Sequence, residues 1–127
     1  MSGTSNAVYL GYRNGGSTTW YNGKMDEVKQ WNRGLVADEV TDLYNAGHPG
    51  VFTLTENRTG YWRLETDAQD YEGSNNGTVS GTTFSEVSGK SFASFDGNDS
   101  ITIPHDANHG FNGDNVSVSA WIKTTST

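Results

Sequence analysis

At 127 residues the chain is one domain at most, yet long enough to hide roughly two-thirds of its extended surface. Its aliphatic residues are sparse, so four Trp, six Tyr and five Phe must supply much of a core, while 16 Gly suit short strands joined by tight turns. The net charge of −7 argues against a nucleic-acid backbone as partner, no apolar run reaches membrane-spanning length, and the lack of cysteine points to a microbial or viral source.

Asn-Gly pairs at 14–15, 22–23, 76–77 and 112–113, with Asp96-Gly97, punctuate the chain as hairpin signals, because these residues tolerate positive φ. The first pair is flanked by predicted strands at 7–12 and 18–21, and the second is followed by one at 24–32. Leu35, Val36, Val40, Leu43 and Tyr44 then change to helical spacing, which predicts a helix over 37–45 with Gly47 at its C-terminal cap. Val36 has no capping oxygen, so the helix start is weak, and His48-Pro49-Gly50 stops it. Residues 46–59 read as a junction, with Val51, Phe52 and Leu54 leaving an extra strand open. A strand at 60–65 places Trp62 and Leu64 on one face, and shorter strands follow at 77–80, 91–95 and 100–103. The clearest strand, 115–123, alternates Val116, Val118, Ala120 and Ile122 on an apolar face with Ser117, Ser119 and Trp121 on the other. A Trp among serines suggests a second, shallower contact surface.

Three segments carry a family resemblance. They are Tyr21-Asn22-Gly23-Lys24-Met25-Asp26-Glu27-Val28-Lys29-Gln30-Trp31-Asn32-Arg33-Gly34-Leu35, Ser94-Phe95-Asp96-Gly97-Asn98-Asp99-Ser100-Ile101-Thr102-Ile103-Pro104 and Val116-Ser117-Val118-Ser119-Ala120-Trp121-Ile122-Lys123. They resemble segments of laminin G-like, or concanavalin A-like, lectin domains. The resemblance implies an all-β antiparallel jelly-roll sandwich with one short helix. In that family the first segment closes the domain and the other two open it, so here the order is inverted. Residues 1–47 resemble the closing part and 60–127 the opening part, as in a circular permutation or a cut across two tandem copies. The family's middle strands have no counterpart. The halves therefore either pack on each other or are completed by a second copy, through strand exchange or edge pairing in a homodimer.

The resemblance also implies a structural calcium ion. Asp26 would supply a side chain and Gly97 or a neighbour a backbone carbonyl, beside Asp96, Asn98 and Asp99; calcium takes six to eight hard oxygens. The alternative is that Asp26 makes internal hydrogen bonds and the 96–99 turn is solvated. Asp67, Asp70, Glu72, Asn75 and Asn76 form an acidic loop, read as solvated rather than cation-binding. Some relatives on this fold are glycosidases that carry Glu-x-Asp-x-Glu; Glu65-Thr66-Asp67-Ala68-Gln69 has Gln in place of the second Glu, so the general acid is missing. His105 and His109 have no partner nucleophile in the sequence and read as loop residues. Sugar rings stack on aromatic faces, which makes Trp20, Tyr21, Trp31, Tyr61 and Trp121 candidates, each weighed against a place in the core. The pair Trp20 and Tyr21 beside a turn, and Trp121 on its polar face, are the ligand-binding expectation.

The expected function is a non-catalytic carbohydrate-binding or adhesion module of a larger microbial or phage surface protein, located outside the cell, on its surface or on a virion. Neither membrane insertion nor an enzyme activity is expected. The alternative is an architectural or self-associating repeat without ligand, and a glycoside hydrolase is a distant third.

Overall fold

The computed structural model describes residues 7–13, 19–47, 54–104 and 115–125. The turns read at Asn14-Gly15 and Asn112-Gly113, the His48-Pro49-Gly50 stop, Val51 and Phe52, and His105 and His109 lie outside the described residues. The described elements run β1 (Val8–Leu10), β2 (Tyr12–Arg13), β3 (Thr19–Trp20), β4 (Asn22–Trp31), α1 (Ala37–Asn45), β5 (Arg58–Trp62), β6 (Thr78–Ser80), β7 (Thr83–Val87), β8 (Lys90–Asp96), β9 (Ser100–Ile103) and β10 (Ser117–Thr124). All strand pairs are antiparallel. Among the described residues the architecture is all-β with one short helix.

Strand β4 organises the larger, five-stranded sheet. Along one edge it pairs with β10 over nearly its whole length, and along the other its two halves pair with β8 and then β5. Two of these partners, β8 and β10, lie beyond the 46–59 segment read as a junction, and the third, β5, begins inside it at Arg58. Strand β7 adds to β8 through a hairpin at Ser88-Gly89, where both residues have positive φ (54° and 74°), as a two-residue hairpin requires. A three-stranded sheet in the order β1-β9-β6 and the small pair β2-β3 complete the set.

One core joins the two larger sheets. Val28, Trp62, Ala93 and Phe95 come from the five-stranded sheet and Ile101 and Ile103 from β9, with Leu64 and Ala68 from the segment after β5. Val8, Leu10, Tyr21, Met25 and Phe84 pack around them. The aromatic residues compensate for the shortage of aliphatics: Trp62 is 1% exposed and its indole N–H donates to the Asn75 carbonyl at 3.0 Å. Fully burying such a side chain contributes about 3 kcal/mol.

Several expectations are corrected. Asn22-Gly23 opens β4 instead of turning a hairpin; the β10 backbone comes so close at Lys123 that a side chain on Gly23 would collide with it. Asn76-Gly77 likewise makes no hairpin, and the Asn76 side chain accepts from the Asp70 amide at 3.0 Å. Strand β5 ends at Trp62, not at 65, because Leu64 takes a left-handed conformation (φ 57°) that breaks the extended run. Strand β7 was not foreseen. In β10 the burial is inverted. Val118 and Ile122 are each 60% exposed and Ala120 is exposed, whereas Ser117, Ser119 and Trp121 are half-buried. The apolar face of this edge strand extends beyond the core, while α1 half-covers its other face.

The helix occupies the predicted span. Glu39 replaces the missing cap: its carboxylate accepts from the Val36 amide at 3.0 Å and is gripped by Arg33 through two bonds of 2.8 Å. Arg33 is the first cause holding the Glu39 carboxyl down at about 2. Gly47 follows in the left-handed conformation at φ 73°, as a helix C-terminus favours.

Candidate functional site

The face of the five-stranded sheet away from the core carries most of its charged and aromatic chemistry. Alternation along β4 turns Met25 and Val28 inward and leaves Lys24, Asp26 and Lys29 on this outer face. A bulge makes the switch between the two halves. Trp121 of β10 pairs with Asp26 and Ser119 pairs with Lys29, so β4 has one residue more than its partner in this interval. Glu27 takes the positive φ (52°) that the extra residue demands. Its side chain therefore joins the outer face beside that of Asp26.

Glu27 anchors a buried polar cluster. Its Oε2 pairs with Lys29 Nζ at 2.7 Å and accepts the Tyr61 hydroxyl at 2.7 Å, with both charged side chains under 10% exposed. The Lys29 ammonium also lies 4.8 Å from the centre of the Tyr61 ring. Burial, and next the bond to Glu27, pushes the Tyr61 phenol well above its ordinary value. These groups satisfy one another and brace the sheet.

Next to this cluster lies an open cleft of about 370 Å³. Its walls include Phe92 of β8 and Trp121 of β10, its floor the buried Asp26, and its rim Lys24, Lys90 and Lys123. The Lys24 ammonium sits 4.0 Å over the Phe92 ring. Trp121 stacks on Tyr44 of α1, with centroids 6.2 Å apart and planes at 26°. A smaller cleft of about 170 Å³ lies on the helix side, where Val40, Leu43 and Tyr44 meet Lys29 and Trp121. The indole therefore borders both hollows. An aromatic wall, a buried carboxylate and flexible cations in a hollow of this size form an arrangement suited to a small polar ligand.

The remaining predicted site residues fall elsewhere. Trp20 is 39% exposed and packs on Tyr12 at 4.5 Å, with Tyr9 edge-on to Tyr12 at 5.5 Å, in a separate aromatic patch on β1, β2 and β3. Tyr21 turns inward, edge-on to Phe95 at 5.7 Å, and its hydroxyl donates to the Lys24 carbonyl at 2.8 Å. Trp31 is fully buried and Tyr61 belongs to the Glu27 cluster, so neither offers a free face.

The register also separates the residues expected to share calcium. Asn22, not Asp26, lies opposite Asp96, which leaves four residues of extended chain, about 13 Å, between Asp26 and that turn. Within the turn, Asp99 Oδ2 accepts from the Asp96 amide at 2.9 Å and Asp96 Oδ1 from the Asn98 amide at 3.3 Å, with Gly97 at φ 100°. Among the described residues no group of three or more His, Asp or Glu side chains is gathered as a metal site.

The acidic loop is an organised element. Both oxygens of Asp70 are used: Oδ1 accepts from the Tyr61 and Glu72 amides at 3.1 and 3.0 Å, and Oδ2 from the Asn75 amide at 3.2 Å. Glu65 pairs with Arg63 at 2.5 Å and Asp67 accepts from the Gln69 amide, both in the irregular segment after β5.

Sequence reasoning singled out Trp121 and Asp26 separately and missed Lys24, Lys90, Phe92 and Lys123. Their convergence depends on strand register, for which the sequence carries no local signal. Comparisons of the chain with protein-family models, with curated proteins and with solved structures found no match.

Proposed function

We propose that this chain is a non-catalytic carbohydrate-binding or adhesion module, built as a laminin G-like jelly roll and carried by a larger microbial or phage surface protein. The observation that carries the reading is the Trp121 cleft. A sugar needs an apolar surface for its C–H face and polar groups for its hydroxyls. The cleft provides Trp121 and Phe92 for the first and Asp26 and three lysines for the second. The Trp20 patch has aromatic rings without such a hollow. Glu65 and Asp67 are engaged in local contacts on an irregular segment, which supports a binding role over glycoside hydrolysis.

A glycan array probed with the wild type, Trp121→Ala and Trp20→Ala tests this reading. Binding that falls at least tenfold in Trp121→Ala and survives in Trp20→Ala supports the cleft. Failure to bind any glycan, with or without EDTA, ends the carbohydrate proposal. The calcium in this reading rests on the family resemblance. A thermal melt in calcium and in chelator tests it, because an ion bound by the folded state alone raises the midpoint.

A second reading, self-association, is favoured by β10. Val118 and Ile122 project an exposed apolar stripe, and among the described residues the outer edge of β10 has no strand beside it. Paired edges of two copies would cover both. Sedimentation of the wild type and of Val118→Lys checks this: a wild-type dimer that dissociates in the variant supports it, and a wild-type monomer at high concentration removes it.

A further inference from the structure

The distribution of positive charge refines the ligand class. The chain has net charge −7 and eight basic residues. Lys29, Arg33, Arg58 and Arg63 are each committed to a carboxylate, at 2.7, 2.8, 2.6 and 2.5 Å. Lys24, Lys90 and Lys123 make no ion pair among the described residues, and all three line the Trp121 cleft. They come from three different strands, β4, β8 and β10, brought together only by the register of the sheet. Glu86, the nearest acidic residue of β7, pairs with Ser91, which alternates with the cleft-lining Lys90 and Phe92 and so faces away. An acidic protein that leaves three cations unpaired in one hollow concentrates a positive field there, and a low-dielectric aromatic wall strengthens it.

Building on the carbohydrate reading, we infer that the Trp121 cleft takes an acidic saccharide: a sugar whose ring lies on the aromatic wall and whose carboxylate meets the rim lysines. The aromatic wall decides between anionic ligands. Trp121 and Phe92 line the cleft together with the three lysines, so a ligand there brings an apolar face together with negative charge. A uronate-type sugar brings its C–H face and one charge per ring, whereas a heavily sulfated chain or a nucleic-acid backbone brings denser charge than three lysines match. The overall negative charge of the protein also repels long, dense polyanions.

The test is calorimetric titration with oligogalacturonate, alginate and hyaluronan oligomers, each beside its methyl-esterified form. Esterification leaves the ring and most hydroxyls but removes the charge. At least one acid is expected to bind about tenfold more tightly than its ester, three solvent-screened charge contacts, two exposed and one half-buried, together being worth roughly that factor. The triple variant Lys24→Gln, Lys90→Gln, Lys123→Gln is expected to bring acid and ester to the same affinity. Its melting profile, matched to wild type, shows that the fold is intact. Lys90→Gln alone, at an exposed strand end, gives a milder second variant should the triple unfold. Equal binding of acids and esters, or binding of the esters alone, overturns the acidic class and leaves the carbohydrate reading standing. No binding of any saccharide overturns both. Heparin, dextran sulfate or single-stranded DNA binding as tightly as the best acid also overturns the inference, since the cleft would then be a general polyanion patch.

Discussion

The two faces of the five-stranded sheet bury side chains by different means. Toward the three-stranded sheet, Val28, Trp62, Ala93 and Phe95 meet Ile101 and Ile103 in an apolar interface no more than 3% exposed. On the other face Asp26, Glu27 and Lys29 are 3–5% exposed, yet they are charged residues. The first face gains its stability from area removed from water, which is nondirectional and tolerates small shifts. The second depends on directed contacts, such as the Glu27 carboxylate between Lys29 and Tyr61, which hold only at one geometry. The contrast suggests a division of labour: the inner face stabilises the sheet, and the outer face fixes the backbone under a binding cleft.

Mutations should separate those roles. Trp62→Ala is expected to show the largest effect, a loss of about 4 kcal/mol in a denaturant melt, by vacating the centre of the core. Trp121→Ala on the outer face should cost no more than about 1 kcal/mol while removing ligand binding. Equal losses at the two tryptophans would abolish the distinction between the faces. Next comes the buried pair. Glu27→Gln leaves Lys29 buried without its counter-charge and should cost about 3 kcal/mol, and Lys29→Met a similar amount. The double variant should lose much less than the sum, because neither stranded charge remains. Additive losses in that cycle would show that the two residues act independently.

Polar groups also support the inner face, at its margin. Asp70 is 7% exposed, and its carboxylate gathers the amides of Tyr61, Glu72 and Asn75 beneath Trp62. Asp70→Ala leaves those donors without their acceptor and should destabilise by about 2 kcal/mol, measured by the same melt. An unchanged midpoint would mean that water replaces the carboxylate without loss.

How far each face was legible in the sequence follows from the same contrast. Trp62 and Leu64 were readable as core because large apolar residues mark an inner face wherever they fall. Helix α1 was readable to its ends because helical spacing and a terminal glycine are local signals. Strand β10 misled for a nonlocal reason: its alternation is clean, but burial depends on whether a second layer reaches it. The bulge at Glu27 left no mark, since glutamate does not advertise a positive φ. Without that bulge the outer-face grouping of Asp26, Glu27 and Lys29 could not be drawn. Residues 24, 90 and 123 are far apart in the chain, so their meeting in one cleft depends on pairing register. Ser88-Gly89, by contrast, was a local turn signal that would have revealed β7.

The smallest effect expected is a pH response confined to the outer face. Helix α1 leans on that face through Tyr44 and Trp121, and its first turn is held by Glu39 between Arg33 and the Val36 amide. The Glu39 carboxyl is held at about 2 in the folded protein, below its ordinary value of 4.5. A group whose folded pKa is depressed contributes stability that is complete above the unfolded value and is lost as pH falls toward the folded one. The helix should therefore be fully held above about pH 5 and loosen progressively between pH 4.5 and 2. Glu39→Gln should lack this acid step attributable to the carboxyl and begin from a looser helix at neutral pH. Residue-resolved NMR across that range is the discriminating measurement. Shifts at Tyr44 and Trp121 that precede any change at Trp62, and that vanish in Glu39→Gln, would place the response on the outer face. Simultaneous changes at all three, unaltered by the substitution, would assign acid sensitivity to the whole fold instead, and the two faces would then melt as one unit.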